Sequence, residues 1–253
     1  MEIRIEDARY FGACIETVSL LVEEANMQFL NEGIEIVAMD SSAIALIEFN
    51  LPNKVFSKYD VLDEKLGINF KDLNKIMSRA REDESLVLKK DKDKLNVIFL
   101  KDKSQRKYKI NLIQLDKEVK KLKPKAEIEV KVAQSEFLNV LKDTALVAEY
   151  LQFKTDKNKL MIYGNGSYAE VESDFIDIDS KNEIKVMFNL KYLLAMASKA
   201  DKDSEIKLTL ANNEPLSLNY NIRDASIKFV LAPYMNEWVY ERNIKSNKPS
   251  GKS

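Results

Sequence analysis

No histidine occurs anywhere in this chain, and cysteine occurs once, at Cys14. A Ser-His-Asp triad is therefore out of reach, as is a structural zinc site built on histidines or several cysteines. An internal disulfide is equally excluded, which fits a reducing compartment. No apolar run reaches the roughly 18–20 residues of a membrane span. The opening Met1–Tyr10 stretch lacks the apolar core of a secretory leader, so a cytoplasmic location with no membrane partner is expected. Charge of one sign is missing too: 40 Lys and Arg stand against 41 Asp and Glu, a net of −1. Bulk charge will not coat nucleic acid, although a local basic surface remains open. What is present is a globular composition, 45% apolar and 32% charged over 253 residues, with length for one or two domains and their cores.

The chain repeats itself. Lys89–Leu95 recurs as Lys154–Leu160, identical at five of seven positions. Each copy lies between short apolar runs, Ser85–Leu88 with Asn96–Phe99 and Tyr150–Phe153 with Met161–Tyr163, which predicts a strand, a polar turn and a strand. Upstream of each hairpin the apolar residues take helical spacing: Leu73, Ile76, Met77 and Ala80 in one, Phe137, Leu141, Ala145 and Ala148 in the other. The same plan fits Phe11, Ile15, Val18 and Val22 before the hairpin around Asn31–Gly33. It also fits Leu193, Met196, Ala197 and Ala200 before the hairpin around Ala211–Pro215. A further strand closes each unit, at Ile44–Phe49, Lys107–Ile113, Tyr168–Phe175 and Ser226–Leu231. The expected class is α+β: four strand-helix-hairpin repeats forming two similar domains of antiparallel sheet with helices on one face.

Between the second and third units runs Asp116–Lys125, charged and Pro-bearing. The expected boundaries are a first domain over 1–115, a connector over 116–126, a second domain over 127–240 and a disordered polar tail over 241–253. Such sheets leave edge strands, and edges invite pairing with another chain.

Gly33–Ser42, the Phe229–Pro233 ending and the Leu122-Lys123-Pro124 linker resemble the proliferating cell nuclear antigen family, the ring-shaped DNA sliding clamps, in their archaeal form. The resemblance runs from residue 1 to about 240. It implies a clamp without an active site or cofactor, in which two-domain subunits close head to tail as a trimeric ring around double-stranded DNA. Such a ring tethers DNA polymerase and other replication and repair enzymes. The implied partners are the polymerase, a clamp loader, a flap endonuclease and DNA ligase, through short aromatic-ended peptides.

The resemblance places a partner-peptide pocket at Met39, Ile44, Leu46, Leu122, Pro124, Ala232, Pro233 and Met235. Val230 stands where many relatives carry tyrosine, which predicts a reshaped floor. It places a subunit edge at Tyr108, Ile110 and Leu112, expected to alternate outward, opposite Tyr168 and Val171 of a neighbour. It places DNA-facing charges at Lys75, Arg79, Lys142, Lys191 and Lys199. Those charges are thin: the four helical stretches, 71–81, 191–202, 9–24 and 136–149, carry +3, +2, −2 and −2. The first helix has Gly12, Ala13 and Ser19 where relatives place lysines. A ring that holds DNA loosely accounts for this, as does a non-identical subunit of a hetero-oligomeric or damage-specialised clamp.

Gly164-Asn165-Gly166 opens no helix and reads as a turn rather than a phosphate loop. Asp174, Asp177 and Asp179 have metal-like spacing but lack the glycine and final glutamate of a calcium loop. Cys14 is expected to be packed, and Trp238 and Tyr240 to anchor the tail.

Overall fold

Apolar residues alternating with polar ones build seventeen strands in the computed structural model, and short amphipathic stretches build four helices, which describes residues 1–116, 118–179 and 182–235. The expected tail, Trp238 and Tyr240 lie outside the described residues. The first unit is β1 (Glu2–Ile5), α1 (Ala8–Ser19), β2 (Glu24–Leu30), β3 (Gly33–Met39) and β4 (Ala45–Pro52), followed by a short added strand, β5 (Lys58–Asp60). The second is β6 (Glu64–Asn69), α2 (Phe70–Met77), β7 (Ser85–Asp91), β8 (Lys94–Lys101) and β9 (Ser104–Asn111). The third is β10 (Ile128–Ala133), α3 (Gln134–Ala145), β11 (Tyr150–Asp156), β12 (Lys159–Asn165) and β13 (Glu170–Asp177). The fourth is β14 (Lys185–Asn189), α4 (Leu190–Ala197), β15 (Glu205–Leu210), β16 (Leu216–Ile222) and β17 (Ala225–Leu231).

The units interlock. The first strand of each pairs with the hairpin of its companion: β1 with β7, β6 with β2, β10 with β15, β14 with β11, all antiparallel. Three sheets result, ordered β5-β1-β7-β8-β9, β10-β15-β16-β17-β4-β3-β2-β6 and β13-β12-β11-β14. The middle sheet departs from the expectation of one sheet per half. β4 and β17 pair from Ala45↔Leu231 to Asn50↔Ser226, so the two halves share a continuous hydrogen-bonded sheet.

The helices lie together, α1 on α2 and α3 on α4. Three of them are capped by a side chain at their start: Asp7 accepts from Tyr10 N at 2.9 Å, Asn69 from Asp72 N at 2.9 Å and Asn189 from Lys191 N at 3.0 Å. Their buried faces carry Phe11, Cys14, Ile15 and Val18, Leu73 and Met77, Phe137 and Leu141, Leu193 and Met196. Cys14 is thus packed, and burial pushes its thiol up to about 12. A Cβ on Gly12 would lie 3.4 Å from Met77 O, an ordinary contact, so α1 meets the end of α2 there.

Two details differ from the sequence expectation. The charged repeats are mostly strand rather than turn, because Lys92 and Lys157 adopt left-handed φ of 56° and 53° and let two residues reverse the chain. The helices α2 and α4 are also shorter than the periodic stretches. The hydroxyls of Ser78 and Ser198 donate back to Lys75 O and Ala195 O, so Arg79 and Lys199 lie past the helix ends.

Candidate functional site

On the face of the middle sheet away from the helices, register places Met39 beside Leu46 and Leu46 beside Val230. Leu46 and Val230 are 1% and 2% exposed, yet neither belongs to the main core cluster. They form a separate apolar floor, and valine at 230 completes it. The connector crosses beside this floor and is fastened by one charge pair. Glu48 accepts from Leu122 N at 3.3 Å and from Lys228 Nζ at 2.8 Å, and Lys228 also donates to Leu122 O at 2.5 Å. Further along, Lys121 pairs with Glu35 and Lys65 with Glu118.

The rim of the surface is apolar and open: Ile44, Leu122, Tyr234 and Met235 are all exposed, while Pro124, Ala232 and Pro233 are half-buried. The loop carrying Ile44 is built around Asp40. One carboxylate oxygen accepts from Ile44 N and Ala45 N, both at 2.8 Å, and the other accepts from Tyr192 OH at 2.7 Å. That bond to Asp40, with burial, raises the Tyr192 phenol above its usual range. Ala232 N donates to Ile44 O and Tyr234 N to Met187 O, so the C-terminal rim is also fixed. Pairing thus brings together Met39, Ile44, Leu46 and Ala232, with Leu122 held beside them by Glu48 and Lys228, while Pro124 follows Leu122 along the chain and Pro233 and Met235 follow Ala232. Sequence reasoning missed Glu48, Lys228, Asp40, Tyr192 and Tyr234. Period-2 alternation puts Glu48 and Lys228 on the outer face, but only the pairing of β4 with β17 makes them partners.

The helical face is less basic than its lysine count. Lys75 is held by Asp72 at 2.8 Å, Lys71 by Glu23 at 3.4 Å and Lys199 by Glu16 of α1 at 2.6 Å. Arg79, Lys142 and Lys191 are exposed and, among the described residues, make no ion pair.

β9 forms one edge of the five-stranded sheet and β13 one edge of the four-stranded sheet. Tyr108, Ile110 and Leu112 do not face outward as expected. Tyr108 and Leu112 pack on the core, Ile110 is 9% exposed, and Lys107 and Lys109 take the solvent side. The strand runs one step out of phase with the expectation because helix α2 covers the apolar set. Val171 lies half-buried on β13, whereas Tyr168 precedes the strand, exposed, with its hydroxyl donating to Leu146 O. Leu146 is 72% exposed beside it, a large apolar side chain that sequence reasoning missed because it falls off the helix's core stripe. A largely buried ion pair joins Arg106 of β9 to Glu84. Arg106 Nη2 donates to Glu84 Oε2 at 2.6 Å and to Arg79 O at 3.0 Å, and its guanidinium lies 4.7 Å from the Phe99 ring. Asp174 is engaged by Lys159, in keeping with a strand carboxylate. Gly166 turns the chain where a Cβ would lie 1.7 Å from Val147 O.

Residues 1–121 match the family model described as proliferating cell nuclear antigen, N-terminal domain, and residues 125–235 match its C-terminal domain. The chain is 31% identical over 246 residues to the DNA polymerase sliding clamp of Pyrococcus horikoshii, covering 93% of this chain and 99% of that protein. Among solved structures, PCNA from Thermococcus kodakaraensis superposes with a TM-score of 0.82 at 26% identity, covering 92% of this chain and 99% of that one. A. fulgidus PCNA, solved with the C-terminal region of FEN-1 bound, has the same fold, with a TM-score of 0.83 at 19% identity over 93% of this chain and 98% of that one.

Proposed function

The chain belongs to the proliferating cell nuclear antigen family, and from that premise we propose that it works as a DNA sliding clamp. In this reading it is a processivity factor with no chemistry of its own, closing head to tail with further subunits around duplex DNA. Residues 1–115 and 127–240 are its two clamp domains and 116–126 its connector. DNA polymerase and repair enzymes such as a flap endonuclease and DNA ligase dock on its outer surface, and a clamp loader opens the ring.

The observation that carries this reading is the second apolar floor. Leu46 and Val230 are buried outside the core, beneath an exposed apolar rim and beside a connector fastened by Glu48 and Lys228. An exposed apolar surface framed by polar residues marks an interaction site, and an anchor with aromatic side chains suits it. The named polymerase clamp of the relative and the FEN-1 region on the A. fulgidus protein support the same use. Encirclement needs no strong affinity, so a helical face left with Arg79, Lys142 and Lys191 is sufficient for loose sliding.

A second reading is favoured by one contact. Glu16 of α1 neutralises Lys199, and α1 contributes no cation of its own to that face beyond Arg9. A subunit of a mixed ring, with more basic neighbours, would tolerate this. The mass of the purified chain by light scattering across a concentration series separates the two. A stable mass of three chains, retained on nicked circular DNA and released by linearisation, is expected for a self-sufficient ring. A monomer or dimer at all concentrations refutes that and selects the mixed ring. Loss of retention on circular DNA with every neighbour present refutes the clamp reading itself.

A further inference from the structure

Three of the four units share one more habit. After its last strand, the chain returns to the outer edge of the strand that opened the same unit. In the first unit β5 pairs with β1 from Glu2↔Asp60 to Arg4↔Lys58. In the second, Ile113 N donates to Gly67 O of β6 at 3.0 Å. In the fourth, Tyr234 N donates to Met187 O of β14 at 2.8 Å. The third unit breaks the habit. Past β13, Ile178 N donates to Asn158 O at 2.7 Å, and among the described residues β10 pairs with β15 alone. At the near end the Asn182 side chain donates to Glu127 O at 2.9 Å.

The bare edge is well defined. Gln134 N donates to Ser204 O, continuing the ladder in which Val130 faces Leu208 and Val132 faces Ile206. In an antiparallel ladder alternate residues turn their backbone groups to the partner. Those of Ile128, Val130 and Val132 thus face β15, and those of Glu129 and Lys131 face away. Among the described residues these outward groups have no backbone partner. Beside them a cleft of about 320 Å³ runs between Glu127–Lys131 and Ile176–Asp179. Its apolar wall is Ile128, Val130 and Ile178, each under 9% exposed, with half-buried Ile176.

The charge of the cleft selects among occupants. Lys131 is occupied by Glu205 at 2.9 Å, while Asp177 and Asp179 are exposed and make no ion pair among the described residues. We propose that the outer edge of β10 is a docking site for an extended segment of a partner protein in which apolar and basic residues alternate. The segment adds as a strand, exchanging backbone hydrogen bonds with Glu129 and Lys131. Its apolar side chains lie against Ile176 and Ile178, and its basic ones meet Asp177 and Asp179. This surface is separate from the one under the connector, and the proposal does not depend on the clamp reading.

The test uses the full chain and a capped synthetic peptide alternating valine and lysine, with its valine–glutamate counterpart as control. Binding is read by fluorescence anisotropy, and exchange of the Glu129 and Lys131 amides by hydrogen–deuterium exchange. The Val–Lys peptide is expected to slow both amides and the Val–Glu peptide to leave them unchanged. Lys131→Pro removes an N–H that faces away from β15, a position where an edge strand accepts proline. It is expected to weaken the Val–Lys peptide by about tenfold. Should Lys131→Pro perturb folding, Asp179→Lys is expected to weaken the same peptide severalfold with the sheet intact. Equal binding of the two peptides overturns the proposal, as does undiminished binding to folded Lys131→Pro or to Asp179→Lys. Amides already slow in the chain alone would mean that the chain fills its own cleft, and would overturn it as well.

Discussion

Arg106→Ala tests the energetics of the β9 edge. Glu84 is 5% exposed and Arg106 25% exposed, and the substitution removes the 2.6 Å ion pair, the bond to Arg79 O and the contact with the Phe99 ring together. Taking one partner from a buried pair costs about 3–5 kcal/mol. The quarter-exposed guanidinium puts the expected loss at the lower end, about 3 kcal/mol. For a chain of this size that moves a urea midpoint down by roughly 1–2 M. Acid gives an independent check. Burial pushes the Glu84 carboxyl up, but bonds from Arg81 N and Arg106 outweigh it and hold the carboxyl below its usual value. Its contribution is therefore full above the unfolded glutamate value and fades as pH falls through the lower folded one. Without Arg106, burial dominates, and acidification protonates the stranded carboxyl. The penalty of Arg106→Ala should accordingly shrink between pH 7 and pH 4. A midpoint shift equivalent to less than about 1 kcal/mol, or an equal penalty at both pH values, refutes the reasoning.

Ile44→Glu places a charge on the exposed rim without touching the core, and should cut the affinity of an aromatic-ended partner peptide about tenfold or more by calorimetry, with unchanged thermal stability. Glu16→Gln releases Lys199 and should steepen the slope of log affinity for duplex DNA against log salt by about 0.9. An unchanged slope would take Lys199 off the DNA face. Gly166→Ala drives a Cβ to within 1.7 Å of Val147 O and should destabilise the chain by about 3 kcal/mol, read by denaturant unfolding.

Local patterns in the sequence carried the repeat, the helix faces and most strand positions, because each rests on spacing within a dozen residues. The turns slipped at Lys92 and Lys157, where a lysine accepts a left-handed φ and charged residues extend as strand. The phase of β9 was lost because alternation identifies two faces without saying which one a helix will cover. The apolar patch was legible as a set, since Met39, Ile44, Leu46 and Ala232 lie close to two recognisable segments. Its fastening by Glu48, Lys228, Asp40 and Tyr192 was not, because those residues meet through pairings between opposite ends of the chain. Neutralisation of Lys199 by Glu16 has the same origin.

The seam between β4 and β17 also sets an order of events during synthesis. β17 is the last strand among the described residues, and β4 belongs to the first unit. While the ribosome makes everything between them, the edge of β4 carries Ala45, Ile47 and Phe49 with no strand beside it. Domains fold as units from the N-terminus as they emerge, and unpaired strand edges are where emerging chains associate wrongly. The first half thus waits, folded but unfinished, until residues 225–231 have been translated. Truncation anywhere before Ala225 leaves that edge open, so incomplete products of this gene should be found with chaperones or in aggregates rather than as free half-clamps.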